Sequence, residues 1–150
     1  MTNSIHHKLF FPNSAAVVWE YLTNSELMEL WLMKSDFKPV PGHEFQFKTN
    51  PIPKFDFDGN IYCKVLEIIP NKKLVYSWKG GPQPGEITMD SIVEWTLTEK
   101  NNGTELELKH NDIKAFDVLP IFAAMNEGWF KNIRKIYELI NKTTYDTTNA

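Results

Sequence analysis

The sequence has few of the features that mark several large classes of function. It has one cysteine, Cys63, so no internal disulfide can form, which is typical of a protein from a reducing cytoplasm. No run of Lys or Arg exceeds two residues, and the formal net charge is −3. A nucleic-acid-binding or anionic-membrane-binding surface requires clustered positive charge, so neither partner is expected.

Long hydrophobic runs are also missing. Glu20, Glu26 and Glu29 interrupt the apolar residues near the N-terminus, so no secretory signal is expected. No stretch reaches the roughly 18 apolar residues that a membrane span needs. We therefore expect a cytoplasmic protein without a membrane segment.

The usual patterns for metals, nucleophiles and phosphates do not occur. His6 and His7 are adjacent and would point to opposite faces of a strand, while His43 and His110 are isolated, so we expect neither a metal nor a cofactor. No Gly-x-Ser-x-Gly elbow is present. The glycines of residues 80–85 lack the Lys-Ser/Thr pair of a phosphate loop.

The sequence is rich in large rings. Of its 150 residues, 42% are hydrophobic and 13% aromatic. This length predicts one domain spanning residues 1–150, with a core of about 5–142. The polar, Thr-rich tail from Thr143 is expected to fray.

Residues 117–140 predict one long C-terminal helix, with Asp117 as its cap. The apolar residues are spaced by three or four positions, as on one face of an α-helix. They are Phe122, Met125, Trp129, Ile133, Ile136 and Ile140.

Most of the preceding chain alternates with period two, as strands do. A first strand at 5–11 is followed by two short helices at 15–22 and 25–30, which Asn13 or Ser14 and then Thr23, Asn24 or Ser25 can cap. An antiparallel sheet covered by one amphipathic helix is an α+β layout. The further strands are predicted at 44–49, 60–69, 73–78, 88–98 and 104–111.

Local motifs in a fixed order extend over about residues 5–142. They are Pro12-Asn13-Ser14-Ala15-Ala16-Val17-Val18-Trp19, Leu27 to Trp31, Pro41-Gly42-His43-Glu44-Phe45, Val65-Leu66-Glu67-Ile68-Ile69-Pro70, Leu74-Val75-Tyr76-Ser77-Trp78, Ser91 to Leu97, Gly103 to Leu106, Leu108-Lys109-His110 and Gly128-Trp129. With these motifs in this order, the chain resembles the START-like (birch-pollen-allergen-like, SRPBCC) superfamily. Within it, the chain is most similar to homologues of the activator of the heat-shock protein 90 ATPase.

The resemblance implies a helix-grip fold: a curved sheet of about seven strands wrapped around the C-terminal helix, with a cavity between them. It does not fix an activity, because relatives include ligand-binding proteins, cyclases and co-chaperone domains. The eukaryotic activators carry an additional N-terminal domain that docks on the chaperone. This sequence starts at the first strand, so we expect that domain to be missing.

Nine residues are candidate ligand-binding residues, because large rings can line a cavity as well as fill a core. The alternative is an ordinary packed core. They are Trp31, Phe45, Phe47, Tyr76, Trp78, Trp95, His110, Met125 and Trp129.

His110 is also the one candidate catalytic residue. Strand parity places it inward beside Leu106 and Leu108, where an imidazole can act as a general base or be held by hydrogen bonds within the protein. Tyr76 or Glu67 is the partner we can suggest for a catalytic pair.

Other polar residues are less specific candidates for a functional role. The hydroxyls of Tyr62, Tyr76, Ser77 and Ser91 can orient a ligand or bond within the protein. Glu67 and Glu94 are expected to face outward and pair with lysines across the strands. The loops at 50–59 and 79–87, rich in Pro and Gly, either gate a cavity or merely connect strands.

Three functions therefore compete at this stage. The first is binding of a small hydrophobic or aromatic molecule in the cavity. The second is a protein-interaction module of the chaperone-activator type, with a chaperone or a second copy of the chain as partner. The third is a cyclase- or hydrolase-like enzyme acting on a polyketide-like substrate.

Overall fold

The computed structural model describes residues 3–52, 54, 57–115 and 118–149, apart from the side chains of residues 3, 112–115, 118–122 and 142–149. The predicted helix cap Asp117 and the side chain of Phe122 lie outside the described residues. Within the described ranges, seven strands and three helices form the α+β helix-grip fold that the sequence predicts.

The strands form one antiparallel sheet with the order β1-β7-β6-β5-β4-β3-β2. Short turns join β4 to β5 and β6 to β7, whereas longer loops join β3 to β4 and β5 to β6, so neighbours in sequence are mostly neighbours in the sheet. The strands are β1 (Asn3–Phe11), β2 (Lys34–Ser35), β3 (Glu44–Lys48), β4 (Asn60–Ile69), β5 (Lys73–Gly80), β6 (Met89–Lys100) and β7 (Gly103–Ala115).

Two short helices, α1 (Ala15–Thr23) and α2 (Ser25–Trp31), follow β1. Ser14 caps α1 by accepting a hydrogen bond from the Val17 backbone N–H at 3.4 Å. Asn24 caps α2 by accepting bonds from the backbone N–H groups of Glu26 and Leu27. These side chains satisfy N–H groups that a helix start leaves unpaired. Helix α1 therefore ends, and helix α2 begins, at Asn24.

The long helix α3 (Val118–Asn149) lies against the sheet. Its residues Trp129, Ile133, Ile136 and Ile140 are buried, which confirms the stripe read from the sequence over its described side chains. They join the inward residues of the strands in one hydrophobic core. No helix among the described residues is long and apolar enough to cross a membrane.

Two parts of the fold differ from the sequence-based expectation. Strand β2 was not predicted, because a strand of two residues is too short to show a period. Helix α3 continues to Asn149, past the predicted end at residue 140, while fraying of the tail from Thr143 stays a prediction. The segment after Thr143 contains no Gly or Pro before Asn149 that would end a helix.

The β6–β7 hairpin brings β7 beside β1. Asn101 and Asn102 have φ values of 50° and 62°, as both central residues of a type I′ turn require. At Gly103, an added Cβ would collide with the Phe11 backbone carbonyl and the Phe10 ring. The close approach of β1 to this turn therefore requires glycine at position 103.

Replacing Gly103 by Ala is predicted to lower the free energy of unfolding by about 1–3 kcal/mol, because the backbone must move to admit the methyl group. The matched control is Gly128→Ala in α3, where an added Cβ meets nothing within 4 Å. That change is predicted to raise the stability by about 0.5–1 kcal/mol through helix propensity. Urea unfolding of both variants measures this, and a Gly103→Ala variant as stable as wild type would contradict the packing described.

Candidate functional site

Four tryptophans form a cluster between α3 and the sheet. The Trp129 ring of α3 contacts Trp78 of β5 and Trp95 of β6, with centroid distances of 5.2 and 5.6 Å. Trp31, at the end of α2, meets Trp95 edge-to-face at 5.8 Å. Such edge-to-face and tilted pairs are the favoured geometries of packed rings, so the cluster fills the interior instead of surrounding a space.

A second set of rings continues the packing toward β3. Phe45 contacts Phe47 at 5.4 Å and Tyr76 at 5.5 Å, and Phe47 contacts Trp78 at 5.5 Å. The Trp95 indole N–H donates to the Tyr76 hydroxyl at 3.0 Å. Burial raises the pKa of Tyr76, so its hydroxyl stays protonated.

His110 lies inward on β7, as strand parity predicted, and both of its ring nitrogens are bonded. The Trp129 indole N–H donates to His110 Nδ1 at 2.9 Å, and Ser91 Oγ lies 2.7 Å from His110 Nε2. An indole nitrogen can only donate, so Nδ1 is the acceptor and Nε2 carries the proton. Nε2–H then donates to Ser91, whose own hydroxyl donates to the Trp78 carbonyl at 2.9 Å.

We call this series of hydrogen bonds the His110 relay; it runs from Trp129 through His110 and Ser91 to the Trp78 carbonyl. It links α3, β7, β6 and β5. Burial lowers the pKa of His110 to about 3, so the imidazole is neutral near pH 7. Its one lone pair is already occupied by Trp129, and the geometry is that of a structural bridge and not of a general base.

A partly open cavity of about 210 Å³ lies at one end of the ring cluster. It is bounded by the ends of β5 and β6, by the loops next to them and by the N-terminal part of α3. Its lining is almost entirely apolar, and none of the described lining residues is titratable. They are Ile52, Phe57, Ile61, Trp78, Gly80, Gly81, Thr88, Met89, Ala124 and Met125.

Backbone bonds hold the two loops that flank this cavity. The Asp58 N–H donates to the Gly81 carbonyl at 2.8 Å, and the Thr88 N–H donates to the Gly80 carbonyl at 2.9 Å. A Cβ at position 81 would collide with the Glu86 carbonyl, so glycine is needed for the loop to fold back on itself. Described residues of both loops, 50–59 and 79–87, line the cavity, and whether the loops gate it stays a prediction.

Of the nine candidate ligand-binding residues, Trp78 and Met125 line the cavity. The structure places the others in the packed core, each 5% exposed or less. They are Trp31, Phe45, Phe47, Tyr76, Trp95 and Trp129 of the hydrophobic core, and the buried polar residue His110.

The polar candidates are distributed over both faces of the sheet. Ser91 bonds to His110, whereas Tyr76 bonds to Trp95. Ser77 lies away from the cavity and accepts from the Lys64 backbone N–H at 2.9 Å. Neither Tyr76 nor Glu67 is among the hydrogen-bond partners of His110 in the described structure, and the pairing suggested from the sequence does not form.

The acidic strand residues behave as surface residues. Glu67 lies 3.1 Å from the Lys73 Nζ on the neighbouring strand, as cross-strand pairing predicted. Between β1 and β7, desolvation raises the pKa of Glu107, but the hydrogen bond to His6 and the charges of Lys109 and Lys8 together lower it below its usual value. These pairs stabilise the sheet surface weakly and lie outside the cavity.

Several cavity residues were not predicted individually. Gly80, Gly81 and Ala124 line the cavity and have little or no side chain to fill it. Thr88 and Met89 lie where β6 begins. A run of small residues directly after a strand of large rings was the signal in the sequence that could have located this space.

A larger depression of about 500 Å³ opens between β3, β4 and β5. Its rim carries charges of both signs, including Asp36, Glu44, Lys64 and Lys79, so it does not suit an apolar molecule. Within the part of the chain that the structure describes, no group of three or more His, Cys, Asp or Glu residues is placed to hold a metal ion.

The family model described as Activator of Hsp90 ATPase homolog 1-like protein matches residues 12–141. Among curated proteins, none matches the chain.

Solved structures share the fold. Protein MLL2253 from Mesorhizobium loti is 29% identical, with a TM-score of 0.81 over 94% of this chain and 98% of that one. The Aha1 dimer from Colwellia psychrerythraea is 20% identical, with a TM-score of 0.71 over 91% and 94%. DynU16, a putative protein in the dynemicin biosynthetic locus, is 17% identical, with a TM-score of 0.72 over 92% of this chain and 47% of that one.

Replacing Ser91 by Ala is predicted to lower the free energy of unfolding by about 1–3 kcal/mol, because the buried His110 N–H loses its acceptor. Thr98→Ala, at an exposed position of the same strand, serves as the control and is expected to change stability by no more than about 0.5 kcal/mol. Urea unfolding measures both. Equal effects at the two positions would show that the His110 relay does not stabilise the fold.

Acidification is predicted to destabilise the protein through His110. Its pKa is about 3 in the folded state and about 6.5 as an ordinary histidine, so between these values the unfolded chain binds more protons. The free energy of unfolding should therefore fall as the pH drops from about 6.5 toward 3, and His110 should have no such effect above that range.

Urea midpoints at pH 7.0, 6.0 and 5.0 test this against His110→Gln, whose amide can accept from Trp129 and donate to Ser91 without titrating. The variant should lose part of the wild-type slope between pH 6.5 and 5. Parallel pH profiles for the two proteins would contradict the neutral, buried histidine.

Proposed function

The chain belongs to the family of Activator of Hsp90 ATPase homolog 1-like proteins, and from this premise we propose that it binds a small hydrophobic or aromatic molecule in the cavity beside Trp78. The observation that carries the proposal is the apolar lining of that cavity, which includes Ile52, Phe57, Ile61, Met89 and Met125. An apolar molecule that leaves water for such a lining gains free energy in proportion to the area it buries.

The cavity volume limits the size of the ligand. At about 210 Å³ it is smaller than the pockets of roughly 300–1,000 Å³ that hold drug-sized molecules. An engineered apolar cavity of about 150 Å³ is enough to hold benzene. We therefore expect a ligand of one or two rings, or an aliphatic molecule of similar size.

The similarity to DynU16 gives modest further support, since that protein comes from the dynemicin biosynthetic locus. A protein from a biosynthetic locus is one that would meet small organic molecules, which is the kind of partner proposed for this chain. The cyclase- or hydrolase-like alternative receives no such support, because no described cavity residue can transfer a proton near pH 7 and His110 is committed to Trp129 and Ser91.

A second candidate function is recognition of another protein, either a chaperone or a second copy of the chain. The family description and the dimeric Aha1 structure favour it. On the outer side of α3, Phe130 is 49% exposed and lies beside His7 and Arg134. Light scattering and a chaperone ATPase assay on wild type and Phe130→Ala test this function. A wild-type protein that is monomeric and leaves the ATPase rate unchanged would exclude it.

Filling the cavity is predicted to abolish ligand binding while leaving the fold intact. Ala124 is an exposed residue of α3 that lines the cavity, so Ala124→Trp places a ring across it. The adjacent Ala123 is also exposed but is not among the lining residues, which makes Ala123→Trp a matched control.

Naphthalene, 1-naphthol and indole are suitable probes, followed by thermal shift and native mass spectrometry. We expect a one-to-one complex with wild type and with Ala123→Trp, and an affinity lowered about tenfold or more in Ala124→Trp. Equal binding by all three proteins would place the ligand elsewhere, and no binding to any of them would contradict the proposed function.

A further inference from the structure

We propose that Met89 and Met125 form an adjustable wall of this cavity, so that it binds flat apolar molecules of one to three rings and not a single fitted ligand. This inference rests on the proposed function and adds to it the residues that set the size of the ligand. It derives from a contrast within the lining, of which one part is held by packing and the other is not.

The lining on the sheet side is fixed. Trp78 and Ile61 are each 5% exposed, and Ile61 is branched at Cβ, which restricts its rotamers. A Cβ built at Gly80 would lie 3.6 Å from the Phe57 ring, so this ring covers the backbone of β5. Trp78 and Ile61 cannot withdraw from a larger ligand without disturbing the core. Three ring centroids lie 5.2–5.5 Å from that of Trp78, and they belong to Phe47, His110 and Trp129.

Met89 is partly buried at the start of β6, and its neighbours across the strands are small. It pairs with Gly80 on β5 and with Ala115 on β7. Side chains directly opposite on neighbouring strands are the ones that pack against a strand residue. Glycine has no side chain and alanine has only a methyl group, so no large group stands directly opposite Met89 to fix its rotamer.

Met125 is partly buried on α3 and lies about one turn before Gly128. A long side chain on a helix leans toward the turn before it, so a side chain at position 128 would cover Met125. The residue there is glycine, and a Cβ built on it would meet nothing within 4 Å. Open space therefore remains next to Met125.

Methionine is suited to such positions because its side chain is unbranched, rotates freely and fills irregular gaps. When Met89 and Met125 turn into the cavity, they close on a small ligand. When they turn toward the free space beside them, they enlarge the cavity beyond its 210 Å³. The affinity then continues to rise with the apolar area that a larger ligand buries, whereas a rigid cavity of this volume rejects a third ring.

Toluene, naphthalene and phenanthrene are suitable probes, because they have one, two and three rings and no polar group. Equilibrium dialysis gives the Kd of each for wild type and for the double variant Met89→Ile/Met125→Ile. Isoleucine has a similar volume but is branched at Cβ, so it cannot turn away as methionine can. Met33→Ile is the matched control, because Met33 is also partly buried but is not among the described lining residues.

In wild type, we expect phenanthrene to bind at least as tightly as naphthalene, and naphthalene to bind more tightly than toluene. In the double variant, the affinity for phenanthrene relative to toluene should fall about tenfold, which corresponds to about 1.4 kcal/mol. In Met33→Ile, the same ratio should change less than about twofold.

A second readout keeps both methionines in place. In wild type with carbon-13-labelled methionine methyl groups, the resonances of Met89 and Met125 should take different positions with toluene and with phenanthrene. The methyl resonance of Met28, which is fully buried in the core, should stay in place with both ligands. If the double variant fails to fold, these resonances decide the question alone.

The outcomes separate the two proposals. Suppose that all three probes bind and Ala124→Trp blocks them. If phenanthrene then binds wild type more weakly than naphthalene, or if the ratio is unchanged in the double variant, the adjustable wall is overturned while the proposed function stands. Methyl resonances of Met89 and Met125 that are the same with toluene and phenanthrene would overturn it as well. If none of the probes binds, both proposals fail.

Discussion

The His110 relay is the interaction on which the interior of this protein depends. A neutral imidazole accepts a hydrogen bond from the Trp129 indole on one side and donates one to Ser91 on the other, and the Ser91 hydroxyl donates a hydrogen bond to the Trp78 carbonyl. The members are buried, so each bond acts in a medium of low dielectric constant, where an unpaired polar group would be costly. The relay thereby fixes α3 against β5, β6 and β7 at one point.

Ring packing around that point determines where space remains. Trp95 is fully buried against Trp31 and Trp129, and Phe45 and Phe47 extend the same layer toward the sheet edge. Protein interiors are close-packed and leave few voids, so unfilled volume is expected where the large side chains end. It lies beyond Trp78, where small residues, namely Gly80, Gly81 and Ala124, form part of the lining. Ligand recognition is therefore proposed for the end of the fold and not for its centre.

Much of this fold could be predicted from the sequence, because alternation in the strands and the three-to-four spacing in α3 are strong periodic signals. Parity alone placed His110 and Leu108 inward, and both are fully buried. The partners of His110 could not be predicted, because Trp129 comes from a helix whose rotation against the sheet is a tertiary property. The bulge between β6 and β7 near Ser91 is a further local feature without a sequence period.

The candidate site was harder to predict for a physical reason. The same aromatic residues can line a cavity or fill a core, and the outcome depends on the balance of side-chain volumes across the whole interior. Trp78 lines the cavity while Trp95 is enclosed by other rings, although both lie inward on neighbouring strands. The loops flanking the cavity were identified by their Pro and Gly content, but their contact through Asp58 and Gly81 was not.

Over the described residues, aromatic rings fill the interior around Trp95 and Trp129, and an apolar space lies beyond Trp78. Pressurising crystals of the protein with xenon tests it most directly, because xenon enters dry apolar cavities without needing a hydrogen-bond partner. We expect a xenon site in contact with Trp78, Ile61 and Met125, at the end of β5. Xenon bound among Trp31, Trp95 and Trp129, or no xenon beside Trp78, would contradict it.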